Sequence, residues 1–335
     1  MRWLQINYAP DIYEIKVPFT NLATTATNCY VIKDGDDALV IDTGAPTDRG
    51  FEVLTQSLAE IGVDQESVRY FCTHLHYDHA GLINRLAHHT PLVYASLADL
   101  NTMTGTYLGE FDSEMLDILY QEGMPYAEAQ AHLAENKRNA GPEFFDYRLC
   151  QMCYVQQDDV IDVGRYHLRV IETPGHTRGH LCLFEPASGI LFGGDHILYV
   201  VSPGIELFPD GGDSLGEYFA SLDRCRGLHA SQLLISHGGN HRDFTQRIDW
   251  LRDHHNERLD VACAVIRENP GLRGMQVSKR MPWNVHRPWS GLTIGQRWAI
   301  VSLGVSVLTH LAGQGRIDRK LADDGRYRYY ASSSR

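Results

Sequence analysis

Apolar and polar positions follow strand and helix periods through most of the first 240 residues. Asn28–Ile32 and Ala38–Ile41 predict strands, and the turn residues Asp34–Asp36 between them predict a β-hairpin. Asp48–Ile61 carries one apolar stripe at helical spacing, and the buried run Val68–Cys72 after it predicts a strand. This alternation of strand, helix and strand predicts a layered α/β fold.

The same pattern continues toward residue 240 with more strands and helices. Strands are predicted at Pro91–Ala95, Cys153–Val155, Tyr166–Ile171, Leu181–Phe184, Ile190–Phe192 and Gln232–Ile235. Helices are predicted at Leu215–Leu228 and Phe244–Glu268.

Residues 97–149 interrupt the alternation and predict a helical insertion, with helices at Glu114–Glu122 and Ala127–Arg138. Aromatic residues recur along it, which favours a lid over a partly apolar acyl group. A contact between two copies of the chain, that is, a homodimer, is the alternative interpretation.

Beyond residue 240 the strands give way to helices, including one at Thr293–Leu311, and to a terminal hairpin around Asp323–Gly325. We therefore expect two domains, a catalytic domain at 1–240 and a small helical, winged-helix-like domain at 241–335.

Composition narrows the class of protein. With 43% apolar and 21% charged residues in 335, the chain is an ordinary globular protein rather than a disordered or fibrous one. The longest apolar stretch, Trp298–Leu311, is too short and too broken for a membrane span, which needs about 20 residues. The N-terminus lacks the apolar core of a signal peptide, and the seven cysteines are an odd number, so we expect reduced thiols and a cytoplasmic protein. Cys150 and Cys153 form an isolated CxxC pair, which by itself does not make a zinc site.

Charge divides near the predicted domain boundary. Residues 1–240 hold 14 Lys and Arg against 33 Asp and Glu, whereas residues 241–335 hold 16 against 9. A basic tail on an acidic body suggests an anionic partner, either a small substrate or a nucleic acid.

Four metal-binding side chains lie within six residues at the end of a predicted strand: His74, His76, Asp78 and His79. His74 and His76 point the same way on an extended chain, and the other two follow on the turn into a helix. So dense a group of imidazoles and carboxylates favours a bound cation over a surface histidine cluster.

Other strand ends supply matching groups. His176 lies in Pro174–His180, Asp195 follows a Gly-Gly pair, and His237 precedes another. Asp42 ends the second strand. Active groups of layered α/β proteins gather at such ends.

This ordered set of motifs, HxHxDH, PGHTxGH, GGD, SHGG and a preceding IDTG, resembles the metallo-β-lactamase superfamily of hydrolases. The resemblance implies a four-layer αββα sandwich. It implies that His74, His76 and His176 bind a first metal, that Asp78, His79 and His237 bind a second, and that Asp195 bridges them. It also implies that Asp42 supports the site from behind its ligands.

Two divalent ions, zinc by preference and iron or manganese as alternatives, suit this mixed nitrogen and oxygen set. A hydroxide bridging the ions would attack the substrate, with Asp78 and Asp195 as catalytic residues that hold it and transfer a proton. His76 stands where the diiron branch of the superfamily has Glu, which argues against that branch.

Flanking residues complete the predicted site. His180 and His196 are expected to support the ligands through hydrogen bonds. Tyr77 either faces the substrate or packs. Four basic tail residues are candidates for binding an anionic part of the substrate: Arg280, His286, Arg287 and Arg297.

The sequence thus predicts a hydrolase of a small thioester or related acyl ester. An endoribonuclease that uses the same site and holds RNA on the basic tail is the first alternative. A lactonase or a non-catalytic sensor is the second.

Overall fold

The computed structural model describes residues 2–19, 24–108, 112–140, 146–208, 210–285 and 287–332. It divides into two compact units. Unit 1 comprises Met1–Met103, Ala140–Pro203 and Ser221–Ile248, and unit 2 comprises Thr104–Asn139, Gly204–Ala220 and Asp249–Arg335. The predicted division of the chain near residue 240 stays a prediction.

Unit 1 contains a seven-stranded sheet whose strands lie in chain order. Its strands are Trp3–Tyr8 (β1), Asp11–Pro18 (β2), Ala26–Asp34 (β3), Asp37–Ile41 (β4), Arg69–Phe71 (β5), Leu92–Ala95 (β6) and Gln151–Tyr154 (β7). Strands β1 to β4 pair antiparallel, and β4 to β7 pair parallel. The carboxyl ends of β4, β5 and β6 therefore meet at one edge of the sheet.

A five-stranded second sheet also lies in unit 1. Its strands, in the order β12-β11-β10-β9-β8, are Val160–Val163 (β8), Tyr166–Glu172 (β9), Leu181–Glu185 (β10), Ile190–Phe192 (β11) and Gln232–Leu234 (β12). Pairing is antiparallel except between β11 and β12.

The two sheets pack face to face because alternate side chains of each point to the shared interior. Leu39 and Ile41 of β4 join Leu168 and Val170 of β9 in that core. The intervening Val40 points the other way, into a second core beneath the helix Asp48–Ile61 (α1). A strand buried on both faces needs a continuous apolar run, and β4 has one.

Short helices connect the strands of unit 1: Tyr77–Ala80 (α2) and Ile83–Leu86 (α3). Helix α1 begins where Thr47 Oγ1 accepts a hydrogen bond from Gly50 N at 2.9 Å, and it ends at Gly62 in the left-handed conformation.

Helices make up most of unit 2, together with a terminal hairpin. The helices of the chain from residue 97 onward are Leu97–Leu108 (α4), Asp112–Gln121 (α5), Tyr126–Ala140 (α6), Ser214–Gly227 (α7), Thr245–Glu268 (α8), Gly274–Ser278 (α9) and Ile294–Gly313 (α10). Ile317–Leu321 (β13) and Tyr327–Ala331 (β14) form the hairpin. Leu116 and Leu119 of the predicted insertion share a core with Val301 and Val305 of α10, so this chain itself covers part of the insertion's apolar surface.

The predicted elements are present with boundary shifts of a few residues. The hydrophobic pattern does not predict β1, β2 or β8, which are short or carry many polar residues. The mixed α/β class is confirmed. The winged-helix description of the tail stays a prediction. Among the described residues, every helix is too short or too polar to cross a lipid bilayer.

A buried ion pair joins the insertion to the terminal hairpin inside unit 2. Glu122 is fully buried, and its carboxylate accepts hydrogen bonds from Arg319 Nη2 at 2.7 Å and from the Tyr329 hydroxyl at 2.8 and 2.9 Å. A buried carboxylate that loses a donor keeps its desolvation penalty.

We therefore expect Tyr329→Phe to lower the free energy of unfolding by about 1–3 kcal/mol. Urea denaturation measures this, and Tyr330→Phe, which removes a hydroxyl from the next residue, is the matched control. Equal stability of the two variants would contradict the structural role of Glu122.

Candidate metal centre

Asp42 lies directly after β4 and is buried beneath the site. Its carboxylate accepts hydrogen bonds from Thr73 N at 2.8 Å and from the Thr73 hydroxyl at 2.9 Å, and it contacts His79 Nδ1 at 2.8 Å. The backbone φ of Asp42 is 58°, a left-handed value that Asp and Asn tolerate better than other side chains. Because Nδ1 of His79 faces Asp42, its Nε2 faces the site.

The segment after β5 brings four predicted ligands together. His74 and His76 leave the strand end with His74 Nε2 and His76 Nδ1 2.9 Å apart. Helix α2 then carries Asp78 and His79. Its backbone is held by Thr27, whose hydroxyl donates to the Asp78 carbonyl at 2.7 Å.

Asp195 lies at the centre of the cluster. Its Oδ2 is 3.6 Å from His79 Nε2, 3.7 Å from His176 Nε2 and 3.5 Å from His237 Nε2. His237 Nδ1 donates a hydrogen bond to the Ala26 carbonyl at 2.9 Å, which turns Nε2 toward the cluster.

The structure thus brings all seven predicted ligands together in three overlapping groups. They are His74, His76 and His176; His74, His79 and Asp195; and Asp78, His79 and His237. Within each group the candidate ligand atoms lie within 4.8 Å of one another.

The donor set fits divalent metal ions. Among the described residues, His79 Nε2 and Asp195 Oδ1 are buried without a hydrogen-bond partner. Buried polar atoms are normally paired, and a bound cation would provide a partner for ligand atoms that lack one.

The ionisation of the cluster suits metal binding. Burial and the neighbouring His176 lower the pKa of His76 to about 3, and burial with His79 lowers the pKa of His74 well below its usual value. Burial opposes ionisation of Asp78, but the His237 contact outweighs it and lowers the Asp78 pKa to about 2. Neutral His74 and His76 beside ionised Asp78 are the forms that bind metals. Burial opposes protonation of His79 and His237, but Asp195 raises the pKa of His79 and the Asp78 contact raises that of His237, so these two imidazoles must release a proton when a metal binds.

His180 and His196 are both fully buried. His180 Nε2 accepts a hydrogen bond from Asp195 N at 3.1 Å, and Nδ1 contacts the Thr173 hydroxyl at 2.7 Å. A Cβ on Gly194, whose φ is 50°, would lie 2.6 Å from His180 Nε2, so glycine is needed before Asp195. Burial lowers the pKa of His196 to about 3.

Asp99 is a site residue that the sequence analysis missed. It lies in the first turn of α4, just beyond β6, and is buried. Its carboxylate accepts hydrogen bonds from Leu75 N, Thr177 Oγ1 and Gly179 N. Its place after a third parallel strand end was the available signal.

Exposed apolar side chains adjoin the cluster. Tyr77, which precedes Asp78, is 41% exposed, and its ring lies 6.2 Å from that of Phe19. Val200 is 53% exposed. It lies close to Gly238, next to His237, because a Cβ on Gly238 would be 3.0 Å from Val200 Cγ1.

The basic candidates of the tail belong to unit 2. Arg280 and Arg287 are exposed, and Arg297 Nε pairs with Glu128 at 2.8 Å. His286 lies outside the described residues.

Comparison with known proteins identifies the family. The sequence pattern of the metallo-beta-lactamase superfamily matches residues 23–237, a range that contains every predicted metal ligand. The chain belongs to this superfamily.

Its curated relatives in the superfamily are distant. The "Probable metallo-hydrolase YqjP" of Bacillus subtilis is 25% identical over 81% of this chain and 85% of its own length. A "Beta-lactamase-like protein 2 homolog" of Caenorhabditis elegans is 24% identical over 80% of this chain and 75% of its own. The human "Acyl-coenzyme A thioesterase MBLAC2" is 29% identical over 50% of this chain and 57% of its own. The predicted class, a hydrolase of the metallo-β-lactamase fold, is confirmed at this level.

Two solved structures share the fold over nearly the whole chain. A metallo-beta-lactamase family protein of Thermus thermophilus has a TM-score of 0.77 at 23% identity and covers 96% of this chain and 98% of its own. A beta-lactamase domain protein of Burkholderia ambifaria has a TM-score of 0.79 at 21% identity and covers 98% and 93%. The shared fold therefore extends beyond the matched pattern at residues 23–237.

Replacing Asp42 tests the support behind His79. Asn tolerates the left-handed backbone, but its amide cannot accept from both Thr73 and His79. We expect Asp42→Asn to weaken metal binding by about 10–100-fold, as measured by titration of the metal-free protein with Zn²⁺.

Asp37→Asn on the same strand is the control, because Asp37 pairs with Arg69 at 2.6 Å, away from the cluster. Unchanged affinity in Asp42→Asn would show that Asp42 does not orient a ligand.

Proposed function

We propose that this chain hydrolyses acyl thioesters with two divalent metal ions, zinc by preference. The observation that carries the proposal is the set of three His and Asp groups, which are linked because His74 belongs to two of them and His79 to two of them. His74, His76 and His176 would hold one ion, and Asp78, His79 and His237 the other. Asp195 would contact both.

Two bound ions supply Lewis acidity, since they polarise a carbonyl oxygen and lower the pKa of water toward about 7. The chain's own residues supply orientation and proton handling. Asp78 is ionised at neutral pH, because its pKa is about 2, and can accept the proton of the attacking water at a carboxylate oxygen. The products are a carboxylic acid and a thiol.

The surroundings of the cluster support an acyl substrate. Tyr77 and Val200 present apolar surface beside ligand residues, which suits a hydrocarbon group more than a polyanion. The name of the human relative, an acyl-coenzyme A thioesterase, agrees with this class of substrate. The acidic character of residues 1–240 disfavours a long nucleic acid near the site.

Metal content and a substrate panel test the proposal. We expect about two ions per chain by elemental analysis. We also expect cleavage of at least one acyl thioester, followed by release of free thiol.

Asp78→Ala should abolish this cleavage, because it removes both a ligand and the proton acceptor, whereas Asp48→Ala at the exposed start of α1 should not. Cleavage of RNA with thioesters untouched would favour the endoribonuclease. A folded protein that holds no metal would contradict any metal-dependent hydrolase.

The basic tail residues are proposed to bind an anionic part of the substrate. On this proposal Arg287→Ala raises KM for a coenzyme A thioester while kcat and metal content stay unchanged. Arg297→Ala has the same expected effect, with the loss of its Glu128 ion pair as an added change. Unchanged KM in both variants would contradict an anion-binding role for the tail.

A further inference from the structure

Asp99 connects two ligand-bearing loops that are about 100 residues apart in the chain, His74–His79 and His176–His180. Asp99 Oδ2 accepts from Leu75 N at 3.2 Å and from Thr177 Oγ1 at 2.8 Å. Asp99 Oδ1 accepts from Gly179 N at 2.5 Å. The residue itself is only 4% exposed.

Two of the three donors adjoin predicted ligands, and the third, Gly179, adjoins the predicted supporting residue His180. Leu75 separates His74 from His76, and Thr177 follows His176. Any shift of the Leu75 peptide moves the two histidines attached to it. The three imidazoles of the group His74, His76 and His176 therefore depend on one carboxylate for their spacing.

The loop at Gly179 is built for this contact. A Cβ there would lie 2.2 Å from Ser96 Oγ and 2.6 Å from Asp99 N, so a larger residue would push the loop away. Ser96 Oγ in turn accepts from Ala98 N at 3.1 Å and orients the start of α4. Gly179 thus permits the close approach of the His176–His180 loop to α4, and Ser96 fixes the start of α4 at that point.

We propose that Asp99 is a positioning residue that assembles the three-histidine group His74, His76 and His176. Asp42 has the corresponding place behind His79, so each part of the cluster has its own buried carboxylate. The proposal rests on the proposed metal-dependent function.

Asp99→Asn is the direct test, because it keeps the size of the side chain and turns one acceptor into a donor. The NH₂ group of the amide cannot accept a hydrogen bond. At least one of the three hydrogen bonds that Asp99 accepts would therefore be lost. We expect the affinity for one of the two Zn²⁺ ions to fall about 10–100-fold, measured by competition with a chromophoric chelator. We also expect kcat to fall at subsaturating Zn²⁺ while KM stays unchanged. Asn101→Ala, an exposed change on the same helix, should behave as the wild type.

A double-mutant cycle identifies which ion is affected. In a His176→Ala background, Asp99→Asn should lower the Zn²⁺ affinity little further. In a His237→Ala background, it should lower the Zn²⁺ affinity by as much as it does in the wild type. Equal effects in both backgrounds would overturn the assignment to the three-histidine group.

Thr177 provides an independent variant if Asp99→Asn does not fold. Thr177→Val removes one hydrogen bond to Asp99 and should lower the affinity for the same Zn²⁺ ion. Thr177→Ser keeps the hydroxyl and should retain the wild-type affinity. The inference would be overturned if Asp99→Asn bound two ions with wild-type affinity. If Asp99→Asn does not fold, the same result in Thr177→Val would overturn it. Either result would leave the proposed hydrolase intact. A wild-type chain that binds no Zn²⁺ would overturn both.

Discussion

The hydrogen bonds that Asp42 accepts are the interactions on which the predicted ligand cluster depends. A carboxylate that is almost wholly buried is costly unless donors surround it, and here Thr73 and His79 do so. The same bonds tie the end of β4 to the end of β5 and to α2. Because the buried Asp42 carboxylate requires hydrogen-bond donors, it fixes the positions of the end of β5 and of α2.

The architecture makes this arrangement available. Parallel pairing of β4, β5 and β6 places their carboxyl ends at one edge, and each end delivers a polar group there. The second sheet adds His176, Asp195 and His237 from the segments that follow β9, β11 and β12. The apolar core between the sheets leaves the strand ends as the place where so many titratable groups can lie together.

Buried carboxylates have a common role across the chain. Asp42 and Asp99 in unit 1 and Glu122 in unit 2 each join segments that are distant in sequence, through donors of both backbone and side chains. A carboxylate has several acceptor positions, so one residue can hold several strands or loops. Removing any of them leaves buried donors unsatisfied, which destabilises the contact between the segments that it joins.

The sequence by itself determined the α/β class, most strands and helices, and the seven clustered His and Asp residues, since alternation and strand-end motifs are local signals. It did not reveal β1, β2 or β8, because short or polar strands take their identity from the strands beside them. Nor did it reveal Asp99 or the packing of the insertion on α10. Those features depend on contacts between residues far apart in the chain, and only the tertiary structure decides which distant donor meets which carboxylate.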